Sequence, residues 1–147
     1  MGETETGDPF DLERFVQAQD DGDTYAVALE ELRRGRKTSH WMWFVFPQIA
    51  GLGHSAMSRT FAISSLEEAR AYLGHTVLGP RLIECAGILA SGPEGITAEQ
   101  IFGTVDAQKL HSSMTLFMRA TPDQPVFADV LDRYFGGRPD VPTDQRT

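Results

Sequence analysis

The stretch Ser39-His40-Trp41-Met42-Trp43-Phe44-Val45-Phe46-Pro47-Gln48 holds both tryptophans of the chain and two of its nine phenylalanines. Burying a Trp or Phe withdraws about 150–250 Å² from water, so any fold of this chain must put these rings in its core or on the wall of a pocket. The stretch asks for both. Trp41, Met42, Phe44, Val45 and Phe46 suit a core, whereas His40, Gln48 and two indole N–H groups bring polar functions that an inert core does not need. Such mixtures line ligand pockets. Periodicity alone does not assign so short a run. Ser39 can cap a helix from His40 to Phe46 that Pro47 must end; a buried strand is the alternative. In a helix, positions two apart lie roughly 200° apart around the axis, so one indole is core and the other faces a cleft. In a strand both face the same side.

A chain of 147 residues is one domain, long enough to bury roughly 68–70% of the surface an unfolded chain exposes. Residues 1–7 lack apolar periodicity and are expected to be a flexible tail. A single helical domain is expected over 8–143 and a C-terminal tail over 144–147. The formal net charge of −8 disfavours nucleic acid and anionic membrane surfaces as partners. No apolar run reaches the ~20 residues of a membrane span, and Met1 to Gly7 lacks a signal pattern. The single Cys85 cannot form an internal disulfide, so a cytoplasmic location is expected. The one basic run, Arg33, Arg34, Arg36 and Lys37, precedes the aromatic stretch and suits a helix C-terminus. Arg36 also makes a candidate phosphate contact.

Helices follow from caps and spacing. Asp8-Pro9 opens one with Leu12, Phe15, Val16 and Gln19 on a face. Asp23 or Thr24 caps a second, with Tyr25, Ala28, Leu29 and Leu32 inward, Glu30, Glu31 and Arg34 paired on the exposed side, and Gly35 as C′. Gly51-Leu52-Gly53 belongs to a loop beside the aromatic wall. Ser65-Leu66-Glu67-Glu68 is a capping box for a third clear helix. A fourth runs from Leu78-Gly79-Pro80 with Leu82, Ile83, Ala86 and Leu89 buried. Thr97-Ala98-Glu99-Gln100 caps a brief helix ending at Phe102-Gly103, and Asp106 caps the helix from Ala107 to Arg119. The last lies near Val126 to Phe135, after which the chain is expected to trail over the surface from Pro139. No strand alternation is convincing. The expected fold is mainly α, a single compact domain of about seven helices with few or no strands.

The histidines at 40, 54, 75 and 111 form no metal-binding pair, and one Cys cannot complete a zinc site. No phosphate-binding loop or dinucleotide fingerprint occurs, so neither metal nor cofactor is expected. Asp106, Lys109, His111, Ser112, Ser113 and Thr115 make the last long helix unusually polar. Lys109 stands at i+3 from Asp106 and Ser113 continues that line at i+7. A solvated helix face is the plain alternative. Gln48 fits a core poorly, since a buried amide costs free energy unless fully paired.

The residues Ser39 to Gln48, with Gly51-Leu52-Gly53, Ile101-Phe102-Gly103, Asp106, Lys109 and Ser112-Ser113-Met114-Thr115-Leu116-Phe117, resemble a family of small bacterial proteins known as domain of unknown function 1810. The resemblance runs from about Phe10 to Thr143. It implies a mainly helical single domain and no established activity; the label calpastatin that some members carry has no support in these residues. A looser similarity links the order of tryptophan segment, then helix with Asp and Lys, to the helical N-glycosidases associated with NAD and ADP-ribose. It suggests a hydrolase acting on an N-glycosidic bond of a nucleotide-like or ADP-ribose-like small molecule. In that scheme a base stacks on Trp41 or Trp43, Gln48 reads its edge, and Lys109 or Arg36 meets phosphate. Ser113 adds a polar contact, Asp106 stabilises the oxocarbenium ion or orients water, and His40 is the acid. The alternative is a non-catalytic ligand-binding or protein-interaction module using the same pocket. Either way, the aromatic stretch and the Asp106 helix are expected to line one shared cleft.

Overall fold

The apolar spacings become nine α-helices among residues 7–147, which are the residues described by the structure, a computed structural model. They are α1 Glu13–Asp20, α2 Thr24–Arg34, α3 Met42–Val45, α4 Ala56–Thr60, α5 Leu66–Gly74, α6 Leu78–Ala90, α7 Ala98–Ala120, α8 Val126–Phe135 and α9 Val141–Gln145. Six residues of the expected N-terminal tail lie outside the described residues. The mainly α expectation holds. Among the described residues there is no strand, only an isolated parallel bridge between Ile49 and Ile63.

The expected caps act only in part: Asp23 makes no side-chain cap bond, Ser39 gives its hydroxyl to Glu31 while α3 begins at Met42 without a side-chain cap, and Asp106 lies within α7, paired with two lysines. The Asp8 carboxylate accepts from the backbone N–H groups of Leu12 (2.6 Å) and Glu13 (3.0 Å), but the chain first turns through Asp11 at φ 53°. Helix α1 therefore starts four residues later than a simple Asp8 N-cap implies. Ser65 accepts from Glu68 N, Thr97 and Gln100 complete both halves of a capping box, and Gly35 closes α2 in the left-handed conformation. Helix α7 is continuous except at Gly103, whose φ 80° and ψ 167° break it. The two helices expected on either side of this glycine are thus both present, with an abrupt joint.

Helix α7 is the spine, packed against α5, α8 and α9, while α6 packs against α2, α5 and α8. Two sets of rings fill the space between. Phe15, Tyr72, Phe117 and Phe127 form a chain with centroids 5.1–5.8 Å apart, and Trp41, Phe46 and Phe102 form a triangle at 6.3–6.4 Å. Cys85 is a core residue, and burial pushes its thiol up to about 12.

The aromatic stretch is helical at its centre. Val45 N donates to Trp41 O and Phe46 N to Met42 O, so the strand alternative does not apply. The turn is held from below by Glu31, which sequence spacing puts on the exposed face of α2 and the structure buries. Its carboxylate accepts five hydrogen bonds: from Thr38 N and Oγ1, from Ser39 N and Oγ, and from Trp41 Nε1, at 2.6–3.0 Å. The left-handed Gly35 reverses the chain so that residues 38–41 return over the end of α2, where a carboxylate is the only acceptor in reach of so many donors. Burial raises the Glu31 pKa, but the donors from Ser39, Thr38 and Trp41 outweigh it and hold the carboxyl down at about 2.

The segment after Pro139 also departs from expectation. Asp140 and Thr143 are buried rather than trailing over the surface. Asp140 accepts from Gln108 Nε2 (2.8 Å), Ser112 Oγ (3.1 Å) and Thr143 Oγ1 (2.6 Å), while its own N–H donates to Thr115 Oγ1 (2.8 Å). This explains how Ser112 and Thr115, expected on a polar face, can be buried. Arg119 adds a two-pronged ion pair with Asp144 at 2.8 and 2.9 Å, and the Arg146 guanidinium lies against Gly51 so closely that a Cβ there would collide with it.

Candidate functional site

Three parts of the chain meet at a surface cleft of about 640 Å³, within the usual range of small-molecule sites. The loop after the aromatic stretch supplies Gln48, Leu52 and Gly53, with Ser58 from α4. The second segment of α7 supplies Thr104, Val105, Gln108, Lys109 and His111, and Phe135 closes the end of α8. The loop lies so near α4 that a Cβ at Gly53 would meet Ser58 Oγ at 2.5 Å. The shared cleft expected of the aromatic stretch and the Asp106 helix is therefore where Gln48 and Lys109 stand.

Lys109 connects the predicted residues. Its Nζ lies 4.9 Å from the centroid of the Trp43 ring and 3.5 Å from Asp106 Oδ1. The other Asp106 oxygen pairs with Lys37 Nζ at 2.7 Å, and Lys37 stands 5.0 Å from the Trp41 ring centroid. Two cation–π contacts are thus joined through one carboxylate. The Gln48 side-chain amide has no hydrogen bond among the described residues, while its backbone oxygen accepts from Ile63 N at 2.8 Å.

His111 is fixed on the opposite side. Its ring stacks on Phe135 with centroids 4.1 Å apart and planes 2° apart. Its Nε2 donates to the Arg138 carbonyl at 2.7 Å, which leaves Nδ1 toward Asp140 Oδ1 at 4.0 Å.

The structure separates the remaining candidates. Trp41 is 0% exposed and its N–H belongs to Glu31, so it is a core indole with no face for a ligand. Trp43 is only partly buried, so the two indoles divide by burial as a helical turn requires, but Trp43 is not in the cleft lining and meets the site through Lys109. His40 and Arg36 are exposed and outside the cleft lining, so neither the acid nor the second phosphate contact stands where the scheme needs it. Asp106, held between two ammonium groups, is occupied as an ion-pair partner instead of free to act on a substrate. Ser113 is fully buried, and its hydroxyl has no partner among the described residues.

Sequence reasoning missed Glu31, Asp140 and Phe135 as parts of the site or its support, and singled out His111 only as one member of a polar helix. Glu31 carried no signal, because its spacing matches a solvated ion pair. Asp140 did carry one: Asp-Val-Pro-Thr is an N-cap followed by a proline in the first turn, and the Asp140 carboxylate does accept from Thr143 N.

Fold and site together define a small, mainly helical protein whose aromatic core carries a cleft of mixed polarity beside its longest helix. Residues 9–147 match the model of the family described as Protein of unknown function (DUF1810), and the chain belongs to that family. It is 54% identical to the conserved hypothetical protein Rv1873 from Mycobacterium tuberculosis, whose crystal structure superposes with a TM-score of 0.89 over 94% of this chain and 96% of that one. No curated protein matches the chain. Among the described residues, no helix is long and apolar enough to cross a membrane.

Proposed function

We propose that the cleft between the Gln48 loop and the second segment of α7 binds a small molecule with a flat apolar body and several polar groups, nucleotide-like in that sense. The observation that carries this reading is what folding leaves unused there. Val105 is 70% exposed and the Gln48 amide has no protein partner among the described residues, although both line one cleft. Folding normally hides large apolar side chains and pairs amides, and a ligand serves both.

Narrower still is a hydrolase of an N-glycosidic bond in a nucleotide-like or ADP-ribose-like compound. Asp106, one turn before Lys109, is its one support. The positions of His40 and Arg36 and the double ion pair of Asp106 favour binding over turnover. Purified protein should therefore gain melting temperature with a member of a nucleotide and ADP-ribosyl panel, by the linkage of binding to stability. Chromatography of the same mixtures is expected to show no released base. Release of base would establish the hydrolase, and a panel that shifts no melt and moves no cleft resonance would sink the binding reading.

A further inference from the structure

We infer that Lys109 anchors an anionic group of the ligand, a carboxylate or a phosphate; this rests on the reading of the cleft as a small-molecule site. Two lysines converge on Asp106, and they differ in what each has left to offer. Lys37 Nζ lies 2.7 Å from Asp106 Oδ2 and donates to the Ser39 carbonyl at 2.5 Å, beneath the Trp41 ring, with its side chain only 7% exposed. Its donors are spent on the fold.

Lys109 is placed differently. It is 19% exposed, stands 3.5 Å from Asp106 Oδ1, makes no hydrogen bond among the described residues, and lines the cleft. An ammonium has three donors, and the fold claims at most one of these. One carboxylate between two ammonium groups leaves a single positive charge uncompensated, and the accessible ammonium presents it to the cleft. Among the described residues, Glu99 is the only carboxylate lining the cleft. It is exposed, so water and salt screen it. In a chain of net charge −8 this local excess of positive charge selects for one anionic group attached to a body that Leu52, Val105 and Phe135 can cover.

Matched probes test the inference: adenosine 5′-monophosphate against adenosine, and benzoate against benzamide. Each is titrated into the full chain with the NMR resonances of the Trp43 indole, Gln48 and Lys109 as readout. A charge-assisted contact should make the anionic member of at least one pair bind roughly tenfold tighter; which pair responds tells phosphate from carboxylate. Lys109→Met should erase that preference, and Glu99→Gln should strengthen the anion two- to threefold, about the weight of a screened surface charge. If Lys109→Met fails to fold, the wild type still decides, because added NaCl must weaken the anion and spare the neutral probe. Equal affinities within both pairs, or a preference that survives Lys109→Met, would overturn the anchor and leave the binding cleft standing. Failure of all four probes to move cleft resonances would overturn both.

Discussion

Glu31 is the residue on which the aromatic stretch depends, and its chemistry sets a pH signature. Its carboxyl is held at about 2 in the folded protein against an ordinary 4.5. A depressed folded pKa means that the ionised form is favoured by folding, so the stabilisation is complete above about pH 4.5 and is lost as pH falls toward about 2. This displacement corresponds to about 3 kcal/mol. Urea unfolding followed from pH 6 to pH 2 should show a loss of that order across this window, and Glu31→Gln should flatten it. The same residue makes the tryptophans unequal. Trp41→Ala empties a buried site and should cost about 3–5 kcal/mol, whereas Trp43→Ala should cost about 1 kcal/mol or less and weaken the cleft's ligand binding by loosening Lys109, which rests on the Trp43 ring. Thermal melts and titrations of the two variants check this; equal, large destabilisation would return both indoles to the core.

At the scale of elements, legibility tracked cap chemistry. Helices α5 and α8 were readable because a serine N-cap starts one, a glycine ends the other, and each has an apolar stripe long enough to show its period. Helix α9 was not, since five residues show no period and its burial comes from one carboxylate instead of an apolar face. Helix α7 was read as two helices, correctly in effect: Gly103 adopts a conformation that L side chains rarely reach. A Cβ at Gly103 would meet nothing within 4 Å, so Gly103→Ala isolates the backbone term. The expected cost is on the order of 1–3 kcal/mol. It should also weaken ligand binding, because Thr104, Val105 and Lys109 follow directly from the joint. A melt unchanged within error would show that the break is not required.

Over the whole molecule, the cleft was legible in part. Gln48 and Lys109 stand out in sequence because a polar residue beside an aromatic run and a lysine spaced from Asp106 lack a packing explanation. His40 and Arg36 were chosen for the same kind of adjacency along the chain, yet residues 36–41 turn back over α2 to satisfy Glu31, and that reversal carries both side chains out to solvent. Long-range closure by residues 140–146 has only the Asp140 cap as a local signature, and a cap does not say what the segment will pack against. Asp140→Ala would take the shared acceptor from the buried hydroxyls of Ser112 and Thr143, and should cost about 3 kcal/mol. Hydrogen exchange should then accelerate in α9 and around residues 108–115 together, as one cooperative unit; acceleration confined to α9 would mean that the clasp does not support α7.

That clasp also imposes an order of events during synthesis. The ribosome makes Ser112 and Thr115 well before Asp140, so the nascent α7 must wait with hydroxyls bound to water or to its own backbone, and its inner face cannot dry until the later segment arrives. The N-terminal helices and the Glu31 turn can assemble while translation continues. The wall of the cleft formed by His111, whose Nε2 awaits the Arg138 carbonyl, is therefore the last part to set. Chains ending just beyond α8, carried clear of the ribosomal tunnel by an unstructured linker, should already protect Trp41 from solvent quenchers while remaining open to protease around residues 108–115.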